Sequence, residues 1–117
     1  MTQIQAYALG YMYRQLEDLT TQQFGDKTRA ENLDAAARRP IQSMAKIQGA
    51  LLETQNMPPH VIAALCKLYQ FLGSEAEMPA REAALQDALS WSWLLGYCGC
   101  RCALYDEACG MLYGRCD

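Results

Sequence analysis

The chain has 117 residues, of which 51% are hydrophobic, and a formal net charge of −3 at pH 7. This length suits one domain with one core, so we expect residues 1–117 to form a single domain. A net negative charge repels phosphate at long range, which excludes capture of nucleic acid or of an anionic membrane by overall charge. Any contact with phosphate must come from a local basic face.

The composition favours an all-α fold. Val61 is the only valine, and residues that favour helices, such as Ala, Leu, Gln, Met, Glu and Arg, dominate. We therefore predict a compact bundle of four to five helices joined by short links.

The first predicted helix runs from about Thr2 to Gln23 and carries an apolar stripe that faces the core. Tyr7, Tyr11 and Arg14 fall on a different side of this helix. Two interpretations of that side stay open: a surface on which bases stack, or a face that packs against a neighbouring helix or subunit. The stripe consists of Leu9, Met12, Leu16 and Leu19.

A second helical pattern runs from about Thr28 to Gln55 and is interrupted by Pro40, where we expect a break or a kink. One side of the pattern is apolar, and the other carries Arg38, Arg39 and Lys46. This pattern favours an ordinary solvated face, balanced in part by nearby glutamates. The alternative is a basic strip that makes charge-assisted contacts with a phosphate backbone.

Proline and glycine place the remaining helices. Pro58-Pro59 opens a third helix that Gly73-Ser74 closes, and Pro79 suits the first turn of a fourth. This fourth helix either continues through Gly96 and Gly99 to about Tyr113 or breaks at the glycines, each of which costs roughly 1 kcal/mol inside a helix.

The cysteines favour core packing over chemistry. Five of the six lie in the last twenty residues, whereas a secreted disulfide scaffold spreads them along the chain, so we expect reduced thiols. Four of them repeat at intervals of four, seven and seven residues, which places them on one face of a helix as small buried residues. A zinc or redox site is the alternative. The four are Cys98, Cys102, Cys109 and Cys116.

Candidate catalytic groups are few. His60, the only histidine, follows Pro58-Pro59 at a helix start, where a solvated or capping role is expected. The adjacent carboxylates Glu17 and Asp18 are expected on a solvent face. There is no glycine-rich phosphate loop or zinc-protease motif, so we expect neither catalysis nor a cofactor. A basic, apolar leader and a run of roughly 20 apolar residues are also missing, which favours a cytoplasmic protein with no membrane contact.

Three segments follow one another in a distinctive order. The first is the Leu9-Gly10 pair that precedes a helix with Leu16-Glu17. The second is the run of small residues that leads to Pro40, followed by an apolar helix. The third is Leu95-Gly96-Tyr97 with Arg101. In this order the three segments resemble the C-terminal helical region of the large subunit of the type I-C CRISPR Cascade complex, whose closing signature also contains Leu-Gly-Tyr.

The resemblance implies the Cascade small subunit, because this helical region is also produced separately in type I-C systems. It implies a non-catalytic bundle, present in more than one copy, that contacts other Cascade subunits, guide RNA and target DNA. The residues it marks for nucleic-acid binding are Arg14, Arg38, Arg39, Lys46 and Arg101. The sequence departs from the family at Cys98-Gly99-Cys100, and the acidic balance leaves open a helical protein-interaction module, such as a phage inhibitor of a defence complex.

Overall fold

Six α-helices and their links make up the part of the chain that the computed structural model describes, residues 1–24, 33–74 and 86–114. None of the helices in these ranges combines the length and the apolar character that crossing a bilayer requires. The all-α prediction is confirmed. The helices are α1 (Gln3–Phe24), α2 (Leu33–Arg38), α3 (Pro40–Glu53), α4 (Pro59–Leu72), α5 (Asp87–Cys98) and α6 (Ala103–Tyr113).

The central element is α1, which contacts α3, α4, α5 and α6. Leu9, Met12 and Leu16 of the predicted stripe are fully buried, and Leu19 is partly buried. Because other helices surround α1, its second side is also covered, and Tyr7 is as inaccessible as the leucines.

α1 and α5 cross in close contact at two glycines. A Cβ added at Gly10 would lie 2.0 Å from the carbonyl oxygen of Trp93, and one added at Gly96 would lie 2.0 Å from the carbonyl oxygen of Tyr7. Real Cβ atoms do not come this near to backbone oxygen, so each helix requires glycine where the other passes. The two backbones therefore touch with no side chain between them.

Two local breaks explain why the described ranges hold six helices and not four or five. Pro40 occupies the first turn of α3 and Arg39 precedes it with φ −130°, so the predicted break is confirmed. Gly99 adopts a left-handed conformation with φ 66° and ends α5 after Cys98. Of the two glycines proposed as breaks, only Gly99 acts as one, because Gly96 stays inside α5 at the crossing.

The proline signal for α4 is confirmed as well. Pro58 is the N-cap, Pro59 begins the helix, and Gly73 ends it with φ 61°. The predicted helix start at Pro79 lies outside the described residues, and the next described helix begins at Asp87.

Candidate nucleic-acid interface

Two exposed cations follow one side of α3. Arg39 is the N-cap and Lys46 lies two turns further on, a separation of about 10 Å along the helix axis. Buried Pro40 and Met44 hold the other side of α3 in the core, which keeps the cations at the surface. We call Arg39 and Lys46 the cationic edge.

Arg38, the neighbouring residue, turns towards carboxylates instead. It ends α2, where its Nε lies 3.3 Å from Oδ1 of Asp34, and its Nη1 lies 3.8 Å from Oδ1 of Asp87 on α5. Because α2 ends at Arg38 and α3 begins at Pro40, Arg38 does not belong to the same helix as Lys46. Its charge is therefore partly neutralised before any phosphate is present.

Arg14 lies on α1, away from the cationic edge. Its Nε is 3.2 Å from Oδ1 of Asp18, one helical turn later, and its guanidinium lies 5.1 Å from the ring centre of Tyr97. The guanidinium thus has both a carboxylate and an aromatic partner within the bundle.

Arg101, in the link between α5 and α6, is exposed and covers the ring of Tyr105 at 4.0 Å from its centre. Tyr105 in turn meets Tyr11 edge to face at 6.1 Å. Tyr11 also lines a shallow depression of about 260 Å³ with Arg14. Tyr11 is therefore the aromatic link between the surroundings of Arg14 and those of Arg101.

The tyrosine side of α1 contacts other helices. Tyr7 is fully buried and donates a hydrogen bond of 2.6 Å to the carbonyl oxygen of Cys100, so it cannot stack on a base. Burial and the nearby cysteine side chains, first among them that of Cys102, raise the pKa of Tyr7 well above its usual range. Tyr11 packs on Tyr113 at 6.3 Å, and burial raises the pKa of Tyr113 to about 12. The burial of Tyr7 supports the interpretation that this side of α1 packs against neighbouring helices, and not the one that bases stack on it.

Lys46 borders a groove of about 330 Å³ between α1 and α3, whose α1 wall includes Glu17.

The expectation that Glu17 lies on a solvent face is wrong, because its exposed fraction is 7% and its carboxylate accepts a hydrogen bond from the hydroxyl of Tyr97. Burial and the charge of Glu17 raise the pKa of Tyr13 on the same side of α1. The one sequence signal for this burial is spacing, since Glu17 lies two turns after Gly10 on the side that faces α5.

The cysteines do not share one helical face. Because α5 ends at Cys98 and α6 begins at Ala103, the regular repeat is interrupted, so Cys98 is exposed and Cys109 is buried. The prediction of a single buried face is therefore wrong, although Cys109 does pack in the core, and Cys116 lies outside the described residues. Within 1–24, 33–74 and 86–114, no three His, Cys, Asp or Glu side chains are grouped to hold a metal ion.

Comparison of this chain with protein-family models, with curated proteins and with solved structures found no match. The functional assignment therefore depends on the residues described above and on the resemblance of the three segments.

Proposed function

We propose that this chain is a non-catalytic small subunit of a cytoplasmic type I CRISPR effector complex, in which several copies help to hold target DNA. The observation that carries the proposal is the α1–α5 crossing. Two of the three segments that resemble the family, Leu9-Gly10 and Leu95-Gly96, are far apart in the sequence, yet their glycines bring the same two helices into backbone contact. Segments that meet in space support a shared bundle better than scattered similarities do.

The cationic edge supplies the nucleic-acid contact in this proposal. Arg39 and Lys46 are exposed at the start and the middle of α3, and the guanidinium of Arg39 and the ammonium of Lys46 suit phosphate oxygens without reading a base. Arg14 and Arg38 each lie within ion-pair distance of a carboxylate. Because the isolated chain is acidic, holding DNA requires several aligned copies within a complex.

A second surface of α3 suits a neighbouring copy. Between α3 and α4 lies an open groove of about 510 Å³, and none of the described residues that line it is charged. Leu52 and Ile62 on its walls are 50% and 43% exposed. Two acidic chains meet most easily where neither presents charge, so we place the contact between successive copies here.

The test compares two exposed lysines in the assembled effector complex. Lys46→Glu is expected to lower the retention of target DNA about ten-fold at moderate salt, because it removes one phosphate contact and adds a repulsive charge. Lys67→Glu on α4 makes the same charge change outside the cationic edge and is expected to alter retention less than two-fold. Adding Arg39→Glu to Lys46→Glu should enlarge the loss of DNA retention and make the remaining retention less dependent on salt concentration.

Equal retention by the Lys46→Glu and Lys67→Glu complexes would overturn the proposed DNA contact. Failure of the wild-type chain to copurify with the other effector subunits would overturn its assignment as a subunit.

A second candidate is an inhibitor that binds a subunit of such a complex. It is favoured by the pairing of Arg14 and Arg38 with acids, and by Trp91, which is 65% exposed. Exposed tryptophan is typical of protein-binding surfaces. The same reconstitution separates the two functions, because a subunit raises DNA retention when it is added to the complex and an inhibitor lowers it.

A further inference from the structure

A groove of about 570 Å³ lies between α2 and α5. Unlike the described lining of the groove between α3 and α4, its lining includes charged side chains. Leu33, Ala37 and Leu94 provide apolar side chains along it, and Trp91 belongs to its lining while remaining 65% exposed. A tryptophan this accessible offers a ring face to solvent, and tryptophan is the aromatic residue that attracts cations most strongly.

Carboxylates stand on both sides of the groove. Asp34 on α2 and Asp87 on α5 have side-chain exposures of 85% and 97%, and both lie in the lining. Arg38 is the one cation among the described residues of that lining. It is 3.3 Å from Asp34 but 3.8 Å from Asp87, close to the outer limit for an ion pair. With two carboxylates and one guanidinium, the described residues of the groove carry one net negative charge.

We propose that this groove binds a lysine or arginine side chain of a partner protein, presented by a short segment with apolar residues beside the basic one. The cation lies over the ring of Trp91 and pairs with Asp87, whose carboxylate Arg38 engages weakly. The neighbouring apolar residues contact Leu33, Ala37 and Leu94. This inference does not depend on the proposed DNA contact, since the negative charge of the groove repels phosphate.

Charge decides between this occupant and the others. A nucleic acid presents phosphates to two carboxylates and is disfavoured. A second copy of this chain, with a net charge of −3, has no general attraction to an acidic groove. A basic, apolar peptide has a cation for the ring and the carboxylates and apolar side chains for the rest of the groove.

The experiment is an NMR titration of the ¹⁵N-labelled full chain with two matched peptides. The basic probe is acetyl-Leu-Lys-Leu-Arg-Leu-amide, and the acidic probe has glutamate at both charged positions. The chain has two tryptophans, so the Trp91→Phe variant assigns the Trp91 indole signal, and buried Trp93 serves as the internal reference. We expect the basic probe to move the Trp91 signal to saturation, and the acidic probe to leave it in place.

Two charge variants complete the test. Asp34→Asn with Asp87→Asn should weaken binding of the basic probe about five-fold or more, because it changes the groove from net negative to net positive. Asp106→Asn with Glu107→Gln removes the same charge from the exposed side of α6 and should change binding less than two-fold. A non-saturating Trp91 shift, equal binding of both probes, or equal weakening by the two double variants would each overturn the proposal.

Discussion

The α1–α5 crossing and the cationic edge of α3 are built from opposite kinds of residue. At the crossing, Gly10 and Gly96 bring two backbones together, and Trp93 stacks on Tyr97 with ring centres 5.4 Å apart. At the cationic edge, Arg39 and Lys46 are exposed. At Gly10 and Gly96 the crossing leaves no room for a Cβ, whereas Arg39 and Lys46 are exposed to solvent.

The crossing therefore concerns the packing of the bundle, and the cationic edge concerns the proposed contact with DNA. The segments of the family resemblance that structure the bundle lie at the crossing, where a substitution changes packing. The proposed contact with DNA lies on α3, where a substitution changes charge and leaves packing alone. The crossing therefore bears on the fold, and the function must be tested at the edge.

The variants Gly10→Ala and Gly96→Ala are expected to disrupt the crossing most directly. Each added methyl would lie 2.0 Å from a carbonyl oxygen of the partner helix, and backbone cannot move aside as a flexible side chain does. We expect a loss of about 3 kcal/mol in the free energy of unfolding for each variant, since overpacking outweighs the gain in helix propensity. Urea denaturation monitored by circular dichroism measures it.

Gly49→Ala is the matched control, because Gly49 lies inside α3 and an added Cβ there meets no atom within 4 Å. This variant should be stabilised by about 0.5 to 1 kcal/mol, as expected for alanine in an unobstructed helix. If the Gly10→Ala variant were as stable as the Gly49→Ala variant, α1 and α5 could not be in backbone contact at Gly10.

A smaller effect is expected from Tyr97→Phe, which removes the hydroxyl that donates to the buried carboxylate of Glu17. Losing a donor to a buried charged group should lower the free energy of unfolding by about 2 kcal/mol. The double variant Tyr97→Phe with Glu17→Gln completes a double-mutant cycle, again measured in urea. Additive effects of the two substitutions would show that the pair does not contribute to the α1–α5 contact.

Much of the bundle could be predicted from local chemistry. Pro40 and Pro59 begin helices because proline suits a first turn wherever it occurs. The apolar stripe of α1 faces the core because its spacing follows the helical period. These features depend on a few neighbouring residues, which the sequence displays directly.

The remaining features depend on partners that are distant along the chain. Gly96 and Gly99 are the same residue type three positions apart, yet Gly96 continues α5 against the backbone of Tyr7 and Gly99 ends the helix in a left-handed conformation. Glu17 is buried because Tyr97, 80 residues later, reaches it. The groove carboxylate Asp87 lies beside Arg38 only after α2 and α5 have packed. Local sequence patterns do not contain these pairings.

The smallest expected effect is on the cationic edge itself. Arg39→Gln with Lys46→Gln should change the free energy of unfolding by no more than about 0.5 kcal/mol, because both side chains are exposed and the core residues beneath them are kept. The same urea denaturation checks this, with Gly10→Ala as the destabilised reference. A loss above about 1 kcal/mol would mean that the edge contributes to folding. Any loss of DNA retention on changing these two residues would then have a structural explanation, and the contrast between crossing and edge would fail.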